Sequence, residues 1–509
     1  MKYNANIHYY DIGDYLDRQQ KLAIIKEFGS VANPKMRWQE ITPNEKGDWI
    51  NQRDGVFDNL IPLAPEKKFD AKTQSFFVTY AIGLASNRDS WVYNYSRKAV
   101  EENMKRMIGF YNEQRELYDS KTKNITSENK PKVEDIVSND SCKISWTRGL
   151  RNLVKRNFEI KFDGKSLIEA SYRPFQKQIL CNIDDVIEAA GLGKILFPTP
   201  ETKNLVICVS GIASSKDFTT LILNSFPSLD FIDKTQCFPL YYYEDVSKNS
   251  TDAPELDFDG NSQFSTGESQ LALKRHDGIS DWILQEVRHR FSTSGKSLTK
   301  EHIFYYVYGI LHSKQYRERF ASDLKKSLPR LPIVDDINTF MDFYNAGKRL
   351  ADLHLNYETV PAYDSVVVET LPQVAYKMPN EKPALNYGEL LAAEPQYKAN
   401  GIDEYKYYAV EKMRFPQKGQ KDIILYNHFI TIKNIPAKAY DYIVNGKSAI
   451  EWLMERYAIT TDKASTIKND PNDWSREHKP RYIFDLLLSV INVSVQTVEI
   501  VDGLPKVEW

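Results

Sequence analysis

Strand patterns and helix patterns occupy separate blocks of this chain, and that arrangement limits its fold more than any other feature. Mixed strand and turn signals run from 158 to 243, and a polar stretch follows at 246–270. Residues 278–355 are mostly helical, with one long run from Thr299 to about Lys326 that Pro329 and Pro332 stop. Strand signals return near 405–433, and helix patterns around 447–457 and 480–492 close the sequence. Blocks of this kind build a multi-lobed α+β protein of mixed sheets and helices. At 509 residues there is room for two to four domains, and no internal repeat of fixed period is present.

The opening segment follows a different rule. Ile7 to Ile12 reads as a strand, Gly13 as a turn, and a helix begins at an Asp17 cap with Gln20 three residues on and stops at Gly29. A strand feeding a helix suits the edge of an α/β sheet, yet no earlier strand precedes it. The expectation is a sheet that is truncated or completed by another chain. A second helix starts near Ser96, with Val100, Met104, Met107, Ile108 and Tyr111 on one apolar face. Residues 119–140 are polar with scattered apolar positions, and they mark a boundary.

Composition excludes several classes. A hydrophobic share of 42% with 27% charged residues is that of an ordinary soluble protein. No apolar run reaches the roughly 18 residues of a membrane span, and the N-terminus lacks a signal-peptide layout. A cytoplasmic location is therefore expected. Cys142, Cys181, Cys208 and Cys237 form no CxxC pair, so free buried thiols are expected in place of disulfides or a zinc site. A net charge of −2 offers no general attraction for nucleic acid, so any such binding must come from local basic surfaces. The 31 tyrosines suit stacking with a hydrogen-bonded hydroxyl, but core and rim packing accounts for most of them.

Apparent catalytic motifs fail when their chemistry is checked. Gly-Lys-Ser occurs at 164–166, 295–297 and 446–448, but a phosphate loop needs a glycine five residues earlier, where Glu159, Arg290 and Asp441 stand. Gly191-Leu192-Gly193 has no third glycine. The calcium-like Asp257-Phe258-Asp259-Gly260 has Thr266 where a bidentate Glu is required. The Glu-x-Lys triplets at 66–68, 159–161 and 404–406 are too short to carry weight, and no histidines fall at metal spacing. Ser210 has Cys208 in place of the glycine of a nucleophile elbow. No catalytic residue, metal ligand or cofactor site is assigned.

Three features suit DNA. In residues 146–158 (WTRGLRNLVKRNF), Arg148, Arg151 and Lys155 share one helix face opposite Leu150, Leu153 and Val154. Such a stripe can contact successive phosphates, although a solvated helix face looks the same in sequence. Around Thr299–Lys326, Tyr305, Tyr306, Tyr308 and Tyr316 interleave with Lys314, Arg317 and Arg319, a pattern shared by nucleic-acid surfaces and amphipathic core helices. Ser86-Asn87-Arg88-Asp89 places Asn87 and Arg88, side chains that bind base edges at two points, before Trp91, Tyr93 and Tyr95. A self-satisfied turn with an Arg–Asp pair is the equal alternative.

Residues 8–16 (HYYDIGDYL), 83–96 (GLASNRDSWVYNYS), 171–175 (SYRPF), 235–244 (TQCFPLYYYE), 302–313 (HIFYYVYGILHS), 350–358 (LADLHLNYE) and 457–474 (YAITTDKASTIKNDPNDW) carry a family likeness. The chain resembles the C-terminal part of Type ISP restriction–modification enzymes and related large bacterial proteins described as DEAD/DEAH-box helicases. The resemblance implies a methyltransferase C-terminal segment and spacer over 1–118, then a target-recognition domain with a first lobe at 119–370 and a C-terminal lobe at 371–509. The opening strand and helix become the end of the methyltransferase sheet, and the chain an excised piece or a split reading frame. The family's Phe-x-Gly-x-Gly and Asn-Pro-Pro-Tyr motifs lie upstream and do not occur here, nor do the ATPase motifs. S-adenosylmethionine, ATP and Mg are then expected only in the complete enzyme. The implied partners are double-stranded DNA and the methyltransferase, helicase and nuclease domains of the parent enzyme, with no membrane.

The expected function is a sequence-specific DNA recognition module of a phage-defence enzyme, which positions DNA for adenine methylation or cleavage by other domains and is no enzyme alone. Arg148, Arg151 and Lys155 are assigned to phosphates, Asn87 and Arg88 to the groove or an extruded base, and Arg173, beside Pro174, to DNA or a structural salt bridge. An adenine-N6 methyltransferase subunit completed in trans, and a structural coupler to the helicase-like ATPase, are the alternatives.

Overall fold

The computed structural model describes residues 6–13, 16–70, 72–126, 129–189, 191, 193–246, 273–370, 384–386 and 403–507. The calcium-like 257–260 motif and nearly all of the polar stretch at 246–270 lie outside them. Within them the protein is α+β, with its strands gathered into several small sheets.

Three four-stranded sheets form the framework. The first is built on a hairpin, Leu167–Arg173 against Gln176–Cys181, extended by Tyr93–Asn94 on one edge and by Phe226–Pro227 on the other. The hairpin turn runs through Pro174 and Phe175, which adopts a left-handed φ of 58°, and a bulge between Ser171 and Arg173 turns the strand end. In the second sheet Ala81–Ile82, Gln236–Pro239, Val206–Val209 and Thr220–Leu223 lie antiparallel. Cys208 and Cys237 stand opposite each other there, with sulfurs 3.9 Å apart, as buried free thiols; Cys142 is exposed. The third sheet joins Ala384–Asn386, Val367–Thr370, Ile430–Lys433 and Ile424–Leu425.

The long helix Arg97–Thr122 crosses the first sheet. Ser96 caps it, and the face read from sequence (Val100, Met104, Met107, Ile108, Tyr111) is buried. The helix continues through Tyr118 and Asp119, where the sequence placed a domain limit.

The run from Thr299 to Lys326 corrects the expectation of one helix. It forms three, Lys300–Ile310, Lys314–Arg319 and Ala321–Lys326. Ser313 interrupts the first because its hydroxyl accepts the Tyr316 N–H at 3.3 Å and caps a new helix. Tyr305, Tyr306, Tyr308 and Tyr316 are all buried, so the aromatic pattern is core packing. Tyr306 and Tyr316 donate to the carbonyls of Pro332 and Arg330, both at 2.9 Å, which makes each ring a stitch between segments. Lys300–Ile310 also packs backbone to backbone on Ile337–Leu355. A Cβ at Gly309 would overlap the Phe343 carbonyl, and one at Gly347 the Tyr305 carbonyl.

The C-terminal helix Tyr482–Asp502 is long and apolar enough to cross a membrane, but 78% of its most apolar 18-residue stretch is buried in the fold. Serines, asparagine and threonine interrupt its apolar run, which is why a search for an unbroken run passes over it. It is the core helix of the C-terminal region.

At the N-terminus the helix Arg18–Phe28 has the expected capping box of Asp17 and Gln20 and ends at Gly29. The strand Ile7–Tyr9 pairs antiparallel with Gln39–Ile41, so its partner comes from later in the same chain. Of the Gly-Lys-Ser triplets, Gly446 belongs to an Asn-Gly hairpin turn, with φ of 48° at Asn445 and 81° at Gly446. Ser448 then caps Ala449–Arg456.

Candidate nucleic-acid interface

The basic stripe folds as its spacing requires. Residues Arg148–Lys155 form a helix capped by Thr147, whose hydroxyl accepts the Leu150 N–H at 3.3 Å. Leu150 and Val154 are buried and Leu153 is half-buried. On the outer side Arg148 and Lys155 are exposed, and among the described residues neither has an ion pair or a side-chain hydrogen bond. Arg151 is half-buried, with Nε buried and unpartnered. Glu188 reinforces the N-terminus by accepting the Gly149 N–H at 3.2 Å.

The loop at 86–89 divides the two residues that the sequence placed together. Asn87 takes a left-handed φ of 52°, which asparagine tolerates, and its side chain is exposed. Arg88 turns inward and is only 4% exposed. Its Nη2 donates to Thr147 Oγ1 at 2.5 Å and lies 4.0 Å from Glu188, while Nε and Nη1 are buried without partners. Burial pushes the guanidinium down to about 10, and the Glu188 carboxylate opposes that shift. Arg88 therefore ties the loop to the cap of the basic helix. It presents no fork to a groove in this conformation, which corrects its expected placement beside Asn87.

Asp89 does not pair with Arg88. It accepts hydrogen bonds from Ser86 and, at 3.0 Å, from Tyr172 Oη, and Arg173 Nη2 lies 3.5 Å away. Arg173 lies over the Tyr172 ring at 3.9 Å and is 3.9 Å from Asp230. Its Nη1 also donates to the Tyr172 carbonyl at 2.8 Å. The structure thus holds Arg173 in a local network at the bulged strand end.

Between these parts lies a cleft of about 350 Å³, bounded by residues 84–91, 141–145, 228–230 and 462–465. Leu84, Ile144 and Leu229 supply apolar wall, and Asn87, Ser145 and Asp230 are among the polar groups. The far wall comes from the hairpin Thr460–Thr461 and Lys468–Asn469, where Asp462 accepts from Ser465 Oγ at 2.7 Å. The Asn94 amide donates to the Lys468 carbonyl at 2.9 Å, and the Tyr95 N–H donates to Asn469 Oδ1 at 3.0 Å, which pins this hairpin to the first sheet. Sequence reasoning gave Thr147, Glu188, Asp230 and Asp462 no role at the site. No local pattern marks them: Thr147, Glu188 and Asp230 act through partners far along the chain, and Asp462 reaches the cleft only because its hairpin docks on the first sheet.

The architecture can now be set beside known families. The Type ISP C-terminal specificity domain matches residues 75–486, which is most of the chain. The chain belongs to this family. Among solved structures, the specificity domain is similar to a nuclease-deletion mutant of the Type ISP restriction-modification enzyme LlaGI in complex with a DNA substrate mimic. That match has a TM-score of 0.77 and 35% identity over 99% of this chain and 39% of that one. The ATP-dependent Type ISP restriction-modification enzyme LlaBIII bound to DNA gives a TM-score of 0.76 at 34% identity, over 99% of this chain and 28% of that one. A DrdV–DNA complex gives 0.72 at 26% identity, over 99% and 43%. The specificity domain thus spans well under half of each of these chains. No curated protein matches it.

Proposed function

We propose that this chain is the DNA-reading module of a Type ISP-like restriction–modification enzyme, a phage-defence system. In this reading it holds a double-stranded site while domains outside it methylate adenine or cleave. Membership in the specificity-domain family carries the proposal, and the DNA present in the LlaGI and LlaBIII structures supports it. The exposed, unpaired cations of Arg148 and Lys155 on an anchored helix supply phosphate contacts with no rearrangement. Arg151 adds a partly buried third charge, Asn87 offers its exposed amide to the duplex, and Arg88 acts by holding the helix cap. Arg173 serves the same surface from within its carboxylate network.

S-adenosylmethionine, ATP and Mg belong, in this reading, to the other domains of the parent enzyme. The chain by itself catalyses nothing and works in the cytoplasm. Selection from a randomised duplex library at near-physiological salt is the test. A specificity module enriches one short site, with part of the roughly 10³-fold preference that complete recognition surfaces reach. A library recovered without enrichment, alongside intact binding to the parent enzyme's other domains, would favour a structural coupler. Micromolar binding of S-adenosylmethionine would favour a methyltransferase subunit completed in trans.

A further inference from the structure

The cleft beside the basic helix has the chemistry of a particular ligand. Leu84, Ile144 and Leu229 provide apolar faces, while Asn87 and Ser145 offer groups that both donate and accept. A planar molecule with apolar faces and a polar edge satisfies both sets at once. A phosphate does not, because three carboxylates, Asp89, Asp230 and Asp462, line the same space.

Two of those carboxylates are committed. Asp89 accepts from Ser86 and Tyr172, and Asp462 accepts from the Ser465 hydroxyl and N–H. Asp230 is 61% exposed, and its partner is Arg173 at 3.9 Å, beyond hydrogen-bond range. It is available to accept from an exocyclic amine. Beneath the loop, Arg88 is buried and fixes the cleft floor through Thr147. The 141–145 wall leads directly into Thr147 and the basic helix. A strand whose phosphates rest on that helix therefore has bases within reach of the opening.

We propose that this cleft takes a single unstacked nucleobase from DNA held on the helix Arg148–Lys155. The inference rests on the DNA-recognition reading above and adds an extrahelical base to it. Extruding a paired base gives up its pairing and stacking, and a base that is already unpaired avoids most of that cost.

The test compares the full chain binding a paired duplex and the same duplex carrying one bulged 2-aminopurine. The bulged duplex is expected to bind about tenfold more tightly or better, with a rise in fluorescence as the base leaves its neighbours. Ser145→Phe fills the cleft and is expected to bring the ratio of bulged to paired affinity close to one. Asp230→Ala, at an exposed side chain, is expected to lower the same ratio, and it keeps the test decisive should the first variant not fold. Equal affinity for the two duplexes in the unmodified chain overturns the inference and leaves DNA recognition standing. A preference that survives both variants also overturns it, because bulged DNA is then favoured for its flexibility. A chain that binds neither duplex fails both readings. Calorimetry with free adenosine and cytidine separates the sources: binding there without a bulge preference assigns the cleft to a free nucleoside and overturns the DNA source.

Discussion

Arg88 Nη2 donates to Thr147 Oγ1 at 2.5 Å, across 59 residues of sequence. The same hydroxyl caps the basic helix by accepting the Leu150 N–H. One buried guanidinium thus holds a loop at the cleft and the first turn of the helix beside it.

Replacing Arg88 with Ala is expected to lower stability by about 1.5–3 kcal/mol, the range for a buried hydrogen bond to a charged group. Urea denaturation measures it. DNA affinity is expected to fall about equally for the selected site and for random duplex, because the helix cap loosens for both. If site preference drops further than general affinity, Arg88 turns outward to touch a base.

The basic stripe is testable by salt dependence. Changing Arg148, Arg151 and Lys155 together to Ala is expected to leave the fold intact. Arg148 and Lys155 are exposed, and the buried residues of that helix are Leu150 and Val154. The log–log salt slope of DNA binding is expected to shrink by up to about 2.7 if all three meet phosphates. The half-buried Arg151 is expected to contribute least when changed singly. An unaltered slope in the triple variant would make the helix an ordinary solvated surface.

Acid sensitivity is expected from the histidines between the helices. His354 Nδ1 is 2.6 Å from Tyr308 Oη, its Nε2 is 2.9 Å from Thr497 Oγ1, and its ring stacks on Tyr442. Burial pushes His354 down to about 3, and the Arg317 cation adds to the shift. His312, beside it, is also held well below the ordinary histidine range by burial. Both are therefore neutral in the fold, while the unfolded chain takes up protons near 6.5. Stability is full above about 6.5 and is expected to fall as pH drops from there towards about 3. The loss is at most about 1.4 kcal/mol per pH unit for each histidine. Unfolding curves between pH 7 and 4 measure it, and His354→Gln is expected to flatten the dependence.

The helix crossing at Gly309 and Gly347 leaves no room for a side chain. Gly347→Ala is expected to cost about 1–3 kcal/mol or more, because the obstacle is a backbone carbonyl that cannot rotate aside. Thermal unfolding tests this, and a variant as stable as the parent would show that the two helices can separate freely.

Local signals were legible wherever their cause was local. The Asp17–Gln20 capping box, the buried face of Arg97–Thr122 and the two faces of Arg148–Lys155 all follow from spacings of three and four residues. The inward turn of Arg88 was not legible. It depends on the left-handed backbone at Asn87 and on a hydroxyl 59 residues away. The tyrosines near 305–316 stayed ambiguous for a related reason, since the same amphipathic pattern serves a surface or a core until its neighbours are known. The partner of the opening strand was not legible either, because Gln39–Ile41 comes after the intervening helix.

The bond from Asn94 to the Lys468 carbonyl spans 374 residues. During synthesis at about 5–20 residues per second, Asn94 waits roughly 20–75 s for that partner to be made. Through that interval the nascent chain carries a cleft with one wall missing. A product released early lacks the 462–465 segment and cannot finish the cleft, however well its first sheet has folded. Completion of the cleft is thus a built-in record that translation has passed the 462–469 segment.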